Sequence, residues 1–371
     1  MLKYNYINHI SLSKFFTKLV IILHSLLSFL KVLKQMALQR RQKIVYYSCM
    51  KKHKNSLPKI ALVLDGGGAR GAYQIGVYLA MEKYNLIPQI TCMSGGSVGS
   101  FFTALYRLKN SQKMIDIWMK MDKKTILSPS KSTVSSLRSV IFEKGGYYTR
   151  EGLVKYIKEY FDLKTVFNTD MPIYSSCAQK LEVMNKVYYE PAYFQLNKKT
   201  PEEILPVLLA SSAIPMVFDP VDVKGNIYVD CMKADNEPYF PLMQYDWDML
   251  FIVPLTDAHY NKHYDDFPKT VVDFGLPAMM NLPLLNMIDF DPSYTESYVS
   301  QGYQTAKTIL EYMSKNNLLK VYKRKKRKNK EVVKPGYYSL NTIGFADITY
   351  TTMTFDQIFE DVRSGGKNNE K

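Results

Sequence analysis

The chain has 371 residues, 46% of them hydrophobic and 13% aromatic, with a formal charge of +15, which is ample apolar side chain for a folded core. Its four cysteines, Cys49, Cys92, Cys177 and Cys231, are few and unpatterned, which speaks against a disulfide framework, and no Cys-x-x-Cys or histidine cluster offers a metal site. The charge is not that of a nucleic-acid binder, because it sits in two appendages: residues 1–58 hold eleven Lys and Arg and no acid, residues 320–334 hold nine against Glu331, and the rest of the chain carries −4.

Within the first appendage, Leu19 to Leu30 is strongly apolar and bounded by Lys18 and Lys31. It is shorter than the roughly 20 residues of a membrane span, and as a helix it gathers Leu and Ile on one side with His24, Ser25, Ser28 and Lys31 on the other. That pattern suits a helix lying on a membrane or a partner; the plainer alternative is that translation starts at Met36 or Met50. No small-residue cleavage site follows, so a cytoplasmic protein, peripherally membrane-associated through this segment, is expected rather than a secreted one.

From residue 59 onward strand and helix signals alternate. Ile60–Leu64 reads as a strand, Asp65-Gly66-Gly67-Gly68-Ala69-Arg70-Gly71 as a glycine loop and residues 72–84 as a helix. Residues 90–93 enter the turn Gly95-Gly96-Ser97-Val98-Gly99, and residues 98–108 leave it as a helix. A strand, a sharp G-x-S-x-G turn and a helix form a nucleophile elbow, with Ser97 exposed on a strained turn and Gly95 and Gly99 small enough to let strand and helix meet. Acyl transfer also needs N–H donors where negative charge develops, and Gly66, Gly67 and Gly68 supply them at a helix start. Gly66, Gly68 and Gly71 satisfy G-x-G-x-x-G as well, but no acid follows at the end of the next strand and no Gly-Lys-Ser/Thr closes the loop, so nucleotide binding is the weaker reading.

Further along, residues 151–161 and 201–211 read as helices, and 172–176, 183–189, 228–230 and 250–254 as strands. Residues 128–139 are serine-rich, and 267–291 are rich in Pro, Met and Leu, a composition that fits core or a cap over the site. Lys323 to Lys328 is an unbroken basic run without aromatics, a solvated loop or a contact for anionic headgroups rather than a nucleic-acid element. A base for Ser97 is scarce. His9, His24 and His53 lie in the acid-free N-terminal stretch, and His259 and His263 lie in a polar loop-like segment, which leaves an aspartate or one of those last two.

Taken with Ala210-Ser-Ser-Ala-Ile-Pro215, Tyr228-Val-Asp230, Ala234-Asp-Asn236-Glu-Pro238 and Gly302-Tyr303, these motifs resemble the patatin-like phospholipases over about residues 59–319. The resemblance implies a three-layer α/β/α sandwich with a mostly parallel central sheet, a catalytic domain at 59–319, a basic extension at 1–58 and a C-terminal segment at 320–371. It implies a Ser-Asp dyad, Ser97 as nucleophile and Asp230 as base, with Gly66 to Gly68 as oxyanion hole and Arg70 fixing that loop. Lipid is the implied substrate, and an anionic membrane surface is a candidate partner; no cofactor, metal or nucleic acid is implied. The chain departs from the family where Asp-Gly-Gly is usual and Asp230-Cys231-Met232 stands instead, which puts a side chain where a strained φ > 0 backbone would favour glycine. Two other readings stay open: a Ser-Asp-His esterase using His259 or His263, and a membrane-binding protein with an impaired site.

Overall fold

The run Ile60–Leu64 has no polar side chain, so as a strand it must be covered on both faces. A computed structural model of the chain, describing residues 58–129, 146–264, 267–319, 335–346 and 350–365, sets this run in mid-sheet as β1. Its partners are β2 (Ile90–Gly96) and β9 (Met249–Val253), both parallel to it. Beyond β9 the parallel order continues through β10 (Thr270–Asp273) and β11 (Tyr337–Tyr338). On the other side β2 pairs in parallel with β5 (Ile173–Val183), which then pairs antiparallel with β6 (Lys186–Gln195) and with β8 (Asn226–Val229). Strand β7 (Val221–Val223) closes that edge against β8. Ser128–Pro129 and Tyr148–Thr149, numbered β3 and β4, form a separate two-stranded ladder. The architecture is mixed α/β with a mostly parallel central sheet.

Alternation along β1 divides the interior. Ile60, Leu62 and Leu64 face a large core with the helices α1 (Ala72–Lys83), α2 (Val98–Arg107), α3 (Pro201–Ser211), α4 (Thr295–Lys315) and α5 (Phe355–Gly365). Ala61 and Val63 face a smaller one. Among the described residues the cover of that second face is thin: a 3-10 turn at Phe240–Gln244 and a set of aromatics around Trp247, Tyr264 and Tyr174. The first-face helices pack closely. A Cβ at Gly302 of α4 would run into the Tyr73 carbonyl of α1, so glycine there sets the helix spacing.

Most expected elements appear within a residue or two of their predicted ends, but β2 runs three residues past the expected 90–93, β5 seven past the expected 172–176, and one expected strand is divided. The stretch 183–189 is not a single strand, because the chain reverses at Met184 and Asn185, both with positive φ, between β5 and β6. The usual Asn-Gly signal for such a turn is absent. The Pro- and Met-rich stretch 267–291 supplies β10, a short helix at Pro277–Met280 and a 3-10 turn at Leu284–Ile288, with Met279, Met280 and Met287 buried as core. The apolar segment 19–30 and the basic run 323–328 lie outside the described residues.

A carboxylate of the C-terminal helix α5 ties it to α1 and α4. Asp361 accepts from Lys83 Nζ at 2.5 Å, Lys307 Nζ at 2.5 Å and Tyr303 Oη at 2.6 Å. Partial burial opposes its charge, but these three donors hold its pKa below the ordinary carboxylate range. That stabilisation is complete above the unfolded pKa near 4 and is lost as pH falls below it. Asp361→Ala is expected to lower unfolding free energy in urea by about 1–2 kcal/mol at pH 7, to lose most of that difference at pH 2, and to make the segment after residue 350 the first proteolytic product.

Candidate active site

The site lies at the C-terminal rim of the parallel strands, where β1, β2 and β9 all end and open sheets form their crevices. Strand β2 stops at Gly96, α2 begins at Val98, and Ser97 between them takes φ 49° and ψ −120°. A non-glycine residue in that region is strained by roughly 1–3 kcal/mol and persists only where its surroundings dictate it. Here they do, because a Cβ at Gly99 would strike the Leu64 carbonyl and one at Gly95 would strike Gly99, so strand and helix pack backbone to backbone around the serine. Ser97 N–H donates to Ser211 Oγ at 2.8 Å, and Ser211 Oγ donates to the Ser176 carbonyl at 2.6 Å. Ser100 Oγ joins Ser211 and Ser175 at 3.0 and 2.8 Å and donates to the Gly95 carbonyl at 2.9 Å. This buried hydroxyl network fixes the elbow from beneath. Of its members only Ser211 falls in a motif visible in sequence, since separations of 75 and 111 residues leave no local pattern.

The glycine loop lies against the serine: a Cβ at Gly66 would stand 3.0 Å from Ser97 Cβ. The three expected oxyanion donors are not equivalent. Gly66 N–H already donates to Asp65 Oδ1 at 3.0 Å and to the Asn236 carbonyl at 3.4 Å, whereas Gly67 and Gly68 N–H donate to no protein acceptor among the described residues. The Gly66 amide is thus engaged in holding the loop. Gly68 takes φ 57° and faces the Met287 carbonyl, a position closed to any side chain.

Arg70 is also not a donor toward the reacting atoms. It is buried, and its guanidinium donates to the carbonyls of Leu255 (3.0 Å), Leu282 (2.6 Å) and Pro283 (2.8 Å), tying the loop to the segments after β9 and before the 3-10 turn at Leu284–Ile288. Asp65 completes the joint. Its Oδ2 accepts from Leu255 N, Thr256 N and Thr256 Oγ1 at 2.9, 3.2 and 3.1 Å. Burial and the nearby Glu237 push its pKa up, and the Leu255 amide and Thr256 hydroxyl pull it back.

Asp230 follows β8 directly. Its Oδ1 accepts from Met232 N at 2.9 Å, while Oδ2 is buried without a hydrogen-bond partner among the described residues. Burial raises its pKa to about 6 against the opposing pull of Met232 N–H, the Ser97 hydroxyl and Cys231 Sγ. Ser97 is thus near enough to act on this carboxylate, although no aligned bond joins them. Cys231 opens a 3-10 turn and is not among the residues with positive φ, so the strain expected of a side chain there does not arise. Burial, then the Asp230 charge, push its thiol pKa well up, which keeps it an inert filler whose Sγ donates to Asn236 Oδ1 at 3.3 Å. Asn236 in turn donates to the Gly66 carbonyl at 2.9 Å and Thr256 Oγ1 at 3.1 Å.

The histidines take other places. His259 is buried between two carboxylates, Nδ1 to Glu237 at 2.7 Å and Nε2 to Asp273 at 3.0 Å. Burial alone would lower its pKa, but those bonds outweigh it and raise it to about 11. With both ring nitrogens engaged and a proton held so firmly, His259 cannot serve as a base at neutral pH. His263 is exposed on the same loop, and His9, His24 and His53 lie outside the described residues. Among the described residues no group of His, Cys, Asp and Glu could hold a metal ion, and no helix is long and apolar enough to cross a membrane.

Residues 62–243 match the family model of the patatin-like phospholipases. This part of the chain is a patatin-like phospholipase domain. Similar proteins include lysophospholipase NTE1 of Debaryomyces hansenii, 33% identical over 20% of this chain and 6% of the relative. Probable lipid hydrolase 463L of Invertebrate iridescent virus 6 is 25% identical over 48% of this chain and 61% of the relative. Human patatin-like phospholipase domain-containing protein 6 is 25% identical over 48% of this chain and 12% of the relative. The matched stretch is thus from about a twentieth to three-fifths of the length of these relatives. Among solved structures, human GIVD cytosolic phospholipase A2 aligns over 77% of this chain and 62% of its own, at 14% identity and a TM-score of 0.37.

Beyond the matched stretch, His259 is expected to be structural. Replacing it with Gln leaves Glu237 and Asp273 buried without a counter-charge and is expected to cost about 3–5 kcal/mol at pH 7. The wild-type contribution is complete below the unfolded pKa near 6.5 and declines as pH rises toward 11. At low temperature, where the variant is folded, Ser97 should still react with a fluorophosphonate; loss of labelling in a folded His259→Gln protein would overturn this assignment.

Proposed function

We propose that the chain is a serine acyl hydrolase that cleaves carboxylic esters of lipids through a Ser97–Asp230 dyad. The observation that carries the reading is Asp230 Oδ2, a buried carboxylate oxygen without a hydrogen-bond partner among the described residues and beside the strained Ser97. A carboxylate near pKa 4 is a feeble base toward an alcohol. At about 6 it holds a proton some hundredfold better and is still mostly ionised at pH 7.

In the reaction, Ser97 Oγ attacks the acyl carbonyl carbon as its proton passes to Asp230 Oδ2. The carbonyl oxygen, now negative, is met by Gly67 and Gly68 N–H, donors of a kind worth roughly 10²- to 10³-fold each. Collapse of the tetrahedral adduct expels the alcohol, which leaves with the proton from Asp230. Water then attacks the acyl-enzyme with Asp230 again as base, releasing the fatty acid and free Ser97. The names of the similar proteins, a lysophospholipase and a probable lipid hydrolase, support lipid ester as the substrate class. Peripheral membrane association, expected from the apolar run Leu19 to Leu30 between Lys18 and Lys31, is part of the same reading.

Wild-type protein is expected to take up a fluorophosphonate and to hydrolyse a p-nitrophenyl acyl ester, and Ser97→Ala to do neither. The wild-type rate should rise with pH and level off above about 6, as Asp230 ionises. Asp230→Asn should lose at least about 10²-fold in turnover and yet melt higher than wild type at pH 8. A buried carboxyl with a raised pKa destabilises the fold progressively as pH rises from the unfolded pKa near 4 to about 6, and in full above that. The two melting curves should converge near pH 4. Full turnover in Asp230→Asn would overturn the dyad.

A further inference from the structure

Strand β5 does not end at the catalytic rim. Gly96, the last residue before Ser97, pairs with Ser176, and β5 runs on from Cys177 to Val183, seven residues or roughly 23 Å at strand rise. It returns as β6, so a two-stranded hairpin projects from the same end of the sheet that carries Ser97 and Asp230. The outer part of this hairpin is apolar and uncovered: Val183 is 50% exposed, Met184 70%, Val187 41% and Tyr188 49%. Met184 and Asn185 form the turn with φ 49° and 61°. A left-handed conformation is uncommon for methionine, and here a largely exposed methionine stands where such a turn prefers Asn or Gly.

We propose that this hairpin tip is the element by which the domain seats its catalytic rim on a lipid surface. Adjacent residues Val187 and Tyr188 point to opposite faces of the hairpin, paired with Glu182 and Leu181. A protein partner would cover one face, whereas a tip apolar on both faces suits a fluid medium that surrounds it. The apolar strip leads to the site, through exposed Ile227 on β8 to Met232, two residues after Asp230. Cations flank it: Lys186 follows the turn, and Lys233 lies over the Tyr189 ring at 5.8 Å, while Glu182 is paired with Lys180. Lysines around an apolar tip complement anionic headgroups and leave the tip free to enter the acyl region. Insertion of the tip turns the rim with Ser97 toward the interface where lipid esters lie.

The proposal rests on the hydrolase reading for its biological sense but is tested without catalysis. Full-length Ser97→Ala protein is mixed with vesicles of phosphatidylcholine and phosphatidylserine and co-sedimented, alongside the same protein carrying Met184→Glu and Tyr188→Glu. Both substitutions are at exposed positions, and circular dichroism confirms folding. The tip variant should bind at least about tenfold more weakly, and with Ser97 restored it should keep turnover of a soluble short-chain ester while losing turnover of vesicle lipid. Met184→Trp should bind more tightly. Equal vesicle binding with and without the tip changes, or none by the parent protein, would overturn the anchor. If instead tip-dependent binding appears and wild type hydrolyses neither ester, the anchor stands and the hydrolase reading falls.

Discussion

Three chain segments that end at the sheet rim are joined by a single buried pair of polar side chains, Asp65 and Asn236. Asp65 takes N–H groups from its own loop at Gly66 and from Leu255 and Thr256 beyond β9. Asn236, arriving from the turn after β8, bonds Gly66 and Thr256 through its side chain and accepts from Gly66 through its carbonyl. The loop, the strand end and the turn after Asp230 are thereby held in one register. A buried carboxylate is unfavourable by itself, and a network of this kind is worthwhile only when its members are satisfied. As a result the Gly66 amide is engaged, and the next two along the loop have no protein acceptor among the described residues.

Burial acts on the charged groups of this region with opposite results, and partners decide which. Asp230 has few donors and no counter-charge, so desolvation prevails and its carboxyl becomes a better base. His259 is buried too, yet Glu237 and Asp273 on its two nitrogens reverse the outcome and fix a cation. Glu237 is next to Asn236 in the chain and Asp273 ends β10, so the cation links the Asn236 turn to the end of β10. A histidine following an aspartate in sequence looks like a catalytic partner, and here geometry gives it the opposite employment.

Local chemistry explains what could be read from sequence. The elbow at Gly95 to Gly99 and the loop at Gly66 to Gly68 were legible because each is a contiguous backbone requirement. β1 was legible because five apolar residues in a row have few alternatives. The donor inventory of the loop was not, since it depends on how the Asp65 carboxylate turns and on the carbonyl of Asn236, 170 residues away. The serine network was hidden for the same reason, and the β5–β6 turn because methionine occupies a position where glycine would announce it.

The turn at Cys231 shows how a side chain is accommodated directly after Asp230. A side chain after Asp230 is tolerable only if the backbone avoids positive φ and the extra atoms find room. The chain meets the first condition by turning into a 3-10 segment at Cys231. It meets the second by facing Sγ toward Gly96, where an added Cβ would be 2.7 Å away, so the side chain that Gly96 lacks makes room for that of Cys231. The thiol then donates to Asn236 Oδ1, the amide oxygen of the side chain that braces the glycine loop. A residue larger than cysteine would meet the Gly96 backbone, and one without a donor would leave Asn236 Oδ1 with one hydrogen bond fewer. Cysteine is small enough for the first constraint and polar enough for the second, and burial beside Asp230 keeps its thiol protonated and out of the reaction.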